Sequence, residues 1–326
     1  MQKRAKHQKP PIIDIHMHTY QFNRYGDPPP PNAVSGVVPV ARTDNEAIDA
    51  YLAEMERFNI VEAYGFGQLE IVDKWISAAP DRITGGLQFP SNSTPESAMG
   101  VIEWPDLELL RTEYISGHLG ILGEITAQYA GVAPNDPKLE PYFALAEELD
   151  IPVCFHTGFG FPGLPYKGAP EFRMVHGNPL PLEEVLVGHP NLKLYIAHGG
   201  YPYLQEIIAI MYMYPHVYAD ISAINWFIPR EEFHGYLQRL IQSGFGKRLM
   251  FGSDQMIWPD AVGMAIEGIE SADFLTEEQK REIFYNNAVR FLQKRGPEIA
   301  LPFNTEEGSR RAPVYKRDYL DRKGVK

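Results

Sequence analysis

The sequence predicts a single (β/α)8 TIM barrel with long βα loops and a basic C-terminal tail. Two observations carry this reading. Eight short apolar, β-branched or aromatic runs alternate with helix-like stretches along the chain. Polar residues with metal-ligating chemistry end four of those runs, where barrel active sites are built. A third observation weighs against the main rival, a doubly wound open sheet. That fold usually opens with a glycine-rich loop after its first strand, and here the first strand ends in His-Met-His.

The strands follow in order. Ile12–His18, Ile60–Gly67, Ile83–Phe89 and Leu119–Ile125 are the first four, and residues 151–157, 192–198, 217–221 and 248–254 the next four. Each is too continuously apolar to have one wet face, as expected of parallel strands covered on both sides. Asp44–Phe58 reads as a helix because Ile48, Leu52, Met55 and Phe58 recur at helical spacing. Residues 68–79, 107–114 and 137–149 are read as the helices after the next three strands, and 182–187, 203–214 and 231–243 as the three after those. Residues 276–295 close the series, with Thr276 as N-cap and Gln279 in the capping-box position.

Two connections exceed the usual length of about 2–6 residues for such loops. Residues 19–43 contain the run Pro28–Pro31, and residues 158–181 are rich in proline and aromatic side chains. Both would emerge at the C-terminal face of the barrel, which makes them candidates to wall a substrate pocket.

The whole chain of 326 residues is 44% hydrophobic and 22% charged, enough to bury one large core. Its net charge of −12 argues against nucleic acid as a partner. The charge is uneven: Lys3, Arg4, Lys6 and Lys9 make the first ten residues basic. Residues 309–326 carry seven basic side chains against two acidic ones. The expected organisation is a basic segment at 1–10, a barrel at 11–295 and an extension at 296–326. No apolar run approaches the roughly 18 residues of a membrane span. The start lacks the apolar stretch of a secretory signal, so a cytoplasmic location is expected. The expected partner is a small-molecule substrate, with self-association into a homo-oligomer left open. Cys154, the one cysteine, excludes intramolecular disulfides and multi-thiolate zinc sites.

Metal chemistry must therefore come from imidazole and carboxylate. His16 and His18 end the first strand two residues apart, a spacing that places both on one face. His156 ends the fifth strand, His198 the sixth and Asp254 the eighth. Four polar strand ends would each need a buried partner in an ordinary core, and convergence on one ion removes that difficulty. Imidazole and carboxylate suit zinc, or manganese and iron. Glu124 ends the fourth strand, and Asp14 precedes His16 on what should be the same inward face, one layer deeper.

The motif Asp14-Ile-His16-Met-His18, with His156, His198 and the Gly252-Ser-Asp254 strand end, resembles the amidohydrolase superfamily. The closing Asn286-Asn-Ala-Val-Arg-Phe-Leu292 segment is similar to its branch that includes aminocarboxymuconate-semialdehyde decarboxylase. The resemblance implies His16, His18, His156 and Asp254 as the four ligands of a mononuclear site. It implies that His198 contacts the water or substrate oxygen on that metal, or binds a second metal in binuclear members. Glu124 matches the position of a bridging group in binuclear members, and a metal-ligand, histidine-orienting or substrate role for it stays open.

The function expected is a metal-dependent hydrolase that cleaves an amide, ester or lactone bond in a small organic substrate. Asp254 is its proton carrier, and His198 and Glu124 are its other catalytic residues. The runner-up is a non-oxidative decarboxylase of an aromatic or unsaturated carboxylate. The third reading is a non-catalytic metal-binding barrel, which would have a coordinatively closed site. Aromatics in the later loops, Trp226 and Trp258 among them, suggest an aromatic or apolar substrate. Arg173 is the preferred cation to meet a substrate carboxylate.

Overall fold

The structure, a computed structural model, describes residues 9–92 and 102–293. Eight parallel strands form one sheet whose spatial order is their sequence order. They are β1 (Ile12–His18), β2 (Ile60–Gly67), β3 (Ile83–Phe89), β4 (Leu119–Ile125), β5 (Val153–Phe155), β6 (Leu194–Ile196), β7 (Tyr218–Asp220) and β8 (Leu249–Met250). Three backbone hydrogen bonds draw the two edges together. Ile15 N donates to Phe251 O at 3.0 Å, Asp254 N to His16 O at 2.7 Å, and His18 N to Gln255 O at 2.8 Å. The sheet is therefore a (β/α)8 barrel, and the bonds that close it run through the segment bearing the candidate ligands. The last four strands are shorter at both ends than the sequence predicts. His156, His198 and Asp254 lie beyond the C-terminal ends of their ladders, whereas Asp220 is the last paired residue of β7.

Helices α1 (Asp44–Phe58), α2 (Leu69–Ala78), α3 (Leu107–Ser116), α4 (Glu140–Glu148), α5 (Leu182–Gly188), α6 (Leu204–Met213) and α7 (Arg230–Gln242) follow strands one to seven. The helix after β8 corrects the sequence reading. It is α8 (Asp260–Glu270), not the stretch from residue 276. Val262, Ala265, Ile266 and Ile269 give it a buried stripe, but Gly263 and Gly268 weaken its intrinsic propensity and hid it. Thr276 does form the expected capping box with Gln279, and that segment is a further helix that follows α8. Its end, Asn287–Phe291, sits at the N-terminal end of the barrel. There Phe291 packs on Tyr195 and Tyr218, and the Asn287 amide donates to the Gly246 and Leu249 carbonyls.

Ile13, Ile15, Phe66, Ile121, Cys154 and Tyr195 fill the interior below the site. A larger cluster lies between the strands and the helices. Of the two basic ends read from sequence, only Lys9 and Pro10 fall within the described residues, with Lys9 Nζ donating to the Arg57 carbonyl at 2.8 Å. Among the described residues, no helix is long and apolar enough to cross a membrane.

His189, at the end of α5, lies 2.9 Å from Glu147 and 3.1 Å from Glu140 of α4. Burial opposes its charge, but the two carboxylates hold its pKa above the ordinary value. The stability from this contact is fully present below the unfolded value of 6.5 and is lost as pH rises through the higher folded one. His189→Gln is thus expected to flatten the change in urea midpoint between about pH 6 and about pH 8. An unaltered pH slope in that variant would show the contact to be inert.

Candidate active site

Two β-bulges aim the first donors. Between Asp14 and Met17, β1 spends three residue steps against two on β2, Ala63 to Gly65. The extra residue flips the alternation. As a result Asp14 does not share the inward face of His16. Its carboxylate accepts from Tyr51 of α1 at 2.9 Å, from Ser253 N at 2.9 Å and from His16 N at 3.2 Å. It ties β1 to the strand-eight end and to the helix layer, which corrects the placement expected from period-two counting. In β4 the steps from Leu122 to Ile125 oppose two on each neighbour. Gly123 takes φ +112° there, and a Cβ on it would lie 2.4 Å from the Cys154 carbonyl. Only glycine fits, and the bulge turns Glu124 into the mouth.

The donors converge. His18 Nε2 lies 2.9 Å from Asp254 Oδ1, and His16 Nε2 lies 3.6 Å from the same oxygen and 3.7 Å from Glu124 Oε1. His198 Nε2 is 3.4 Å from Glu124 Oε1, and His156 Nδ1 is 2.8 Å from it. Three groups emerge whose donor atoms all lie within 4.8 Å of one another: His16, His18 and Asp254; His16, Glu124 and His198; and His16, Cys154 and Asp220. His156 adjoins the second group, its Nδ1 2.8 Å from Glu124 Oε1 and 3.1 Å from His198 Nε2. All eight residues are buried.

Three non-glycine residues at strand ends take left-handed φ: His198 at +59°, Ala223 at +56° and Asp254 at +48°. Such conformations cost about 1–3 kcal/mol each and gather at functional sites. Here they turn His198 and Asp254 over the barrel mouth.

Sequence reasoning missed the outer partners. Asp220, the last residue of β7, holds His16 Nδ1 at 2.9 Å through Oδ2, while its Oδ1 accepts from His198 N at 3.0 Å and from Ser222 Oγ at 2.6 Å. Ser222 Oγ is also 3.1 Å from His198 Nδ1. Gln88 donates to Glu124 Oε2 at 3.2 Å and accepts from Tyr20, whose ring stacks on His18. A carboxylate or amide behind a ligating group fixes its orientation and tautomer. The strand-end rule that found His156 would also have found Asp220 in Tyr-Ala-Asp220-Ile-Ser222.

Burial pushes the Glu124 carboxyl up, but the His156 and His16 imidazoles more than offset this and hold it well below the usual carboxylate range. Burial lowers His156, keeping it neutral as a ligand must be. It also pushes the Cys154 thiol up to about 12, so Cys154 behaves as a small core residue beside His16.

The arrangement fits a divalent cation. His16 Nε2, His156 Nε2, His18 Nδ1 and Asp254 Oδ1 are buried without a hydrogen-bond partner. Each such atom costs about 1–3 kcal/mol, a cost an ion at the convergence point relieves at His16 and Asp254. His18 and Asp254 approach to 2.9 Å while Asp254 Oδ1 makes no hydrogen bond, the relation of two ligands aimed at one centre. Equilibration with zinc or manganese is expected to raise the thermal midpoint and leave bound metal in elemental analysis, and His16→Ala should abolish both effects. Unchanged metal content in that variant would place the ion elsewhere.

A cleft of about 380 Å³ opens above the donors. His156, His198 and Asp254 lie in its wall with Tyr129, Phe159, Phe161, Trp226, Phe227 and Met256. Of the expected substrate contacts, Trp226 is in this wall, fixed by a 2.7 Å bond from Nε1 to Ser253 O. Trp258 instead stacks on Tyr25 and donates to Pro30 O at 2.9 Å, pinning the 19–43 loop. Arg173 is exposed, its guanidinium turned onto the Pro170 and Phe172 carbonyls of its own loop.

An α/β barrel with imidazole and carboxylate donors gathered at its strand ends has the build of a metal-dependent enzyme. Within that class the chain belongs to the amidohydrolase family, whose profile matches residues 13–294. Protein fluG of Emericella nidulans is 21% identical over 176 residues, 49% of this chain; the match spans only 19% of that much longer protein. In fold the chain is similar to a probable 2-pyrone-4,6-dicarboxylic acid hydrolase of Acinetobacter baumannii, solved with citric acid bound. That pair is 13% identical over 87% of this chain and 99% of the other, with TM-score 0.57. It is also similar to 5-carboxyvanillate decarboxylase of Novosphingobium aromaticivorans, solved with manganese bound. Here identity is 14% over 74% of this chain and 80% of the other, with TM-score 0.52. At such identities the likeness is one of fold.

Proposed function

We propose that this protein is a metal-dependent hydrolase that cleaves an ester, lactone or amide bond of a small organic molecule. The observation that carries this reading is Asp254. It is a buried carboxylate on the cleft wall whose Oδ1 has no hydrogen-bond partner and which stands in the same wall as His198. Glu124 supports it, since a second inward carboxylate suits ionising water better than receiving an anionic substrate.

His16, His18 and Asp254 would hold a divalent ion, with His156, Glu124 and His198 completing its surroundings; zinc is the preferred ion, with manganese or iron as alternatives. When bound, such an ion supplies Lewis acidity, which lowers the pKa of water from about 15.7 to near 7. The chain's own residues do the rest. Asp254 takes one proton from the attacking water, whose oxygen forms the new bond to the carbonyl carbon. His198, held by Ser222 and by Asp220 at its backbone N–H, orients the reacting oxygen. The bond to the leaving oxygen or nitrogen breaks, and Asp254 returns the proton to it. The products are a carboxylic acid and an alcohol or amine.

The test is a panel of esters, lactones, amides and aromatic carboxylates offered to metal-loaded protein, with acid release and CO₂ release followed separately. Acid release without CO₂ is expected. CO₂ release alone would establish the decarboxylase reading instead, and neither product, with metal bound, the binding-barrel reading.

A further inference from the structure

A second pocket opens over the first three strands and shares no lining residue with the cleft. It lies between the loop after β1, the first turn of α2 and Gln88 of β3. No aspartate or glutamate lines it among the described residues, and Arg24 is its one charged side chain.

Three features meet there. The half-buried Arg24 guanidinium lies over the Tyr20 ring at 5.4 Å and makes no hydrogen bond or ion pair among the described residues. Stacking on an aromatic ring steadies the planar fork without using its N–H groups. Thr19 is 1% exposed, and its hydroxyl has no hydrogen-bond partner. That hydroxyl sits against Gly67, where a Cβ would stand 2.3 Å from it, so glycine leaves it room beside Gln68. Gln68 is the N-cap of α2, a helix of 10 residues, and its side chain makes no capping bond. Gln68 and Ile71 both line the pocket, which therefore meets the helix end where backbone N–H groups and the positive dipole are presented.

An unpaired cation, an orphaned hydroxyl and an uncapped helix N-terminus share one need, an anionic acceptor. A carboxylate suits them better than a phosphate. Arg24 is the single cation, and Glu70 adds a negative charge to the same helical turn. A divalent ion at the barrel mouth does not reverse this preference, because it offsets Asp254 and Glu124 and itself attracts anions. The Gln88 amide links the pocket to Glu124, donating to its Oε2 at 3.2 Å.

We propose that this pocket binds a carboxylate group, with Arg24 as its counter-ion and the Thr19 hydroxyl and the α2 N-terminus as further donors. The occupant lies against the supports of the metal donors. Tyr20 stacks on His18 at 4.5 Å and donates to Gln88, which in turn donates to Glu124. The carboxylate comes either from a free small acid or from one arm of the molecule whose bond lies at those donors. The second source rests on the hydrolase reading; the site itself does not.

The experiment is equilibrium binding of acetate, acetamide and inorganic phosphate to the full-length, metal-loaded protein and to the same protein after chelation. Acetate is expected to bind both forms, at least about tenfold more tightly than acetamide. Arg24→Gln should weaken acetate binding to the chelated protein at least about tenfold, and Thr19→Val about three- to tenfold, with metal uptake unchanged in both. A series of α,ω-dicarboxylates separates the two sources. For a substrate arm, one chain length should bind the metal-loaded protein at least about tenfold more tightly than acetate, and Arg24→Gln should remove that gain. Equal affinities along the series identify a free acid. Acetate binding that vanishes on chelation would put the anion on the metal and overturn the proposal. So would an Arg24→Gln protein indistinguishable from wild type, or phosphate binding more tightly than acetate. Because no turnover is read, a failure of hydrolysis leaves this site standing.

Discussion

Asp254→Asn is expected to lower turnover by about 10²–10⁴-fold, the usual range for losing a general acid–base group. The fold should survive, for two reasons. Asparagine has nearly the same shape, and it tolerates the left-handed φ of +48° that Asp254 adopts better than most residues do. The expected result is therefore a variant with a wild-type circular dichroism spectrum and unfolding midpoint but almost no acid release. Metal analysis on the same sample separates two causes. Retained metal with lost turnover locates the defect in proton transfer, whereas lost metal identifies Asp254 as essential for holding the ion. Near-normal turnover would remove Asp254 from the mechanism.

Asp14→Ala should have the largest effect on stability. The Asp14 carboxylate is fully buried and accepts from Ser253 N, His16 N and the Tyr51 hydroxyl. Truncation leaves three buried donors without an acceptor, at about 1–3 kcal/mol each. A loss of at least about 3 kcal/mol is expected in urea unfolding, a large share of the 5–15 kcal/mol typical of a folded domain. Asp14→Asn keeps one acceptor oxygen and should cost less. Burial pushes the Asp14 carboxyl up to about 6 against its hydrogen bonds, so the folded state binds this proton more tightly than the unfolded chain. This group's contribution is therefore fully present below about pH 4 and is lost as pH rises through about 6. Both variants should show a flatter pH slope than wild type. An Asp14→Ala protein within about 0.5 kcal/mol of wild type would mean that the barrel closes without this contact.

The first four strands were legible because long apolar runs bounded by polar segments leave few alternatives. The later strands were legible as runs but not as ladders, since the pairing ends where His156, His198, Asp220 and Asp254 approach. The eighth helix was obscured by Gly263 and Gly268, whose low propensity is outweighed by the packing of Val262, Ala265, Ile266 and Ile269. Strict alternation places Asp14 on the wrong face because it cannot register a bulge. One extra residue in β1 reverses the side on which a side chain emerges.

Residue chemistry and order along the chain determined the barrel, the imidazole–carboxylate character of its mouth and the candidate set from His16 to Asp254. These are local properties: a strand-end histidine is visible in its own run. Only the tertiary structure decided that Asp220 orients His16, that Asp14 braces the strand closure, and that Arg173 turns away from the cleft. It also decided that Trp258 pins a loop while Trp226 walls the site. Each of those contacts joins residues that are distant in sequence or set by loop geometry. Their positions depend on strand register, bulges and closure of the barrel, which no single stretch of sequence encodes.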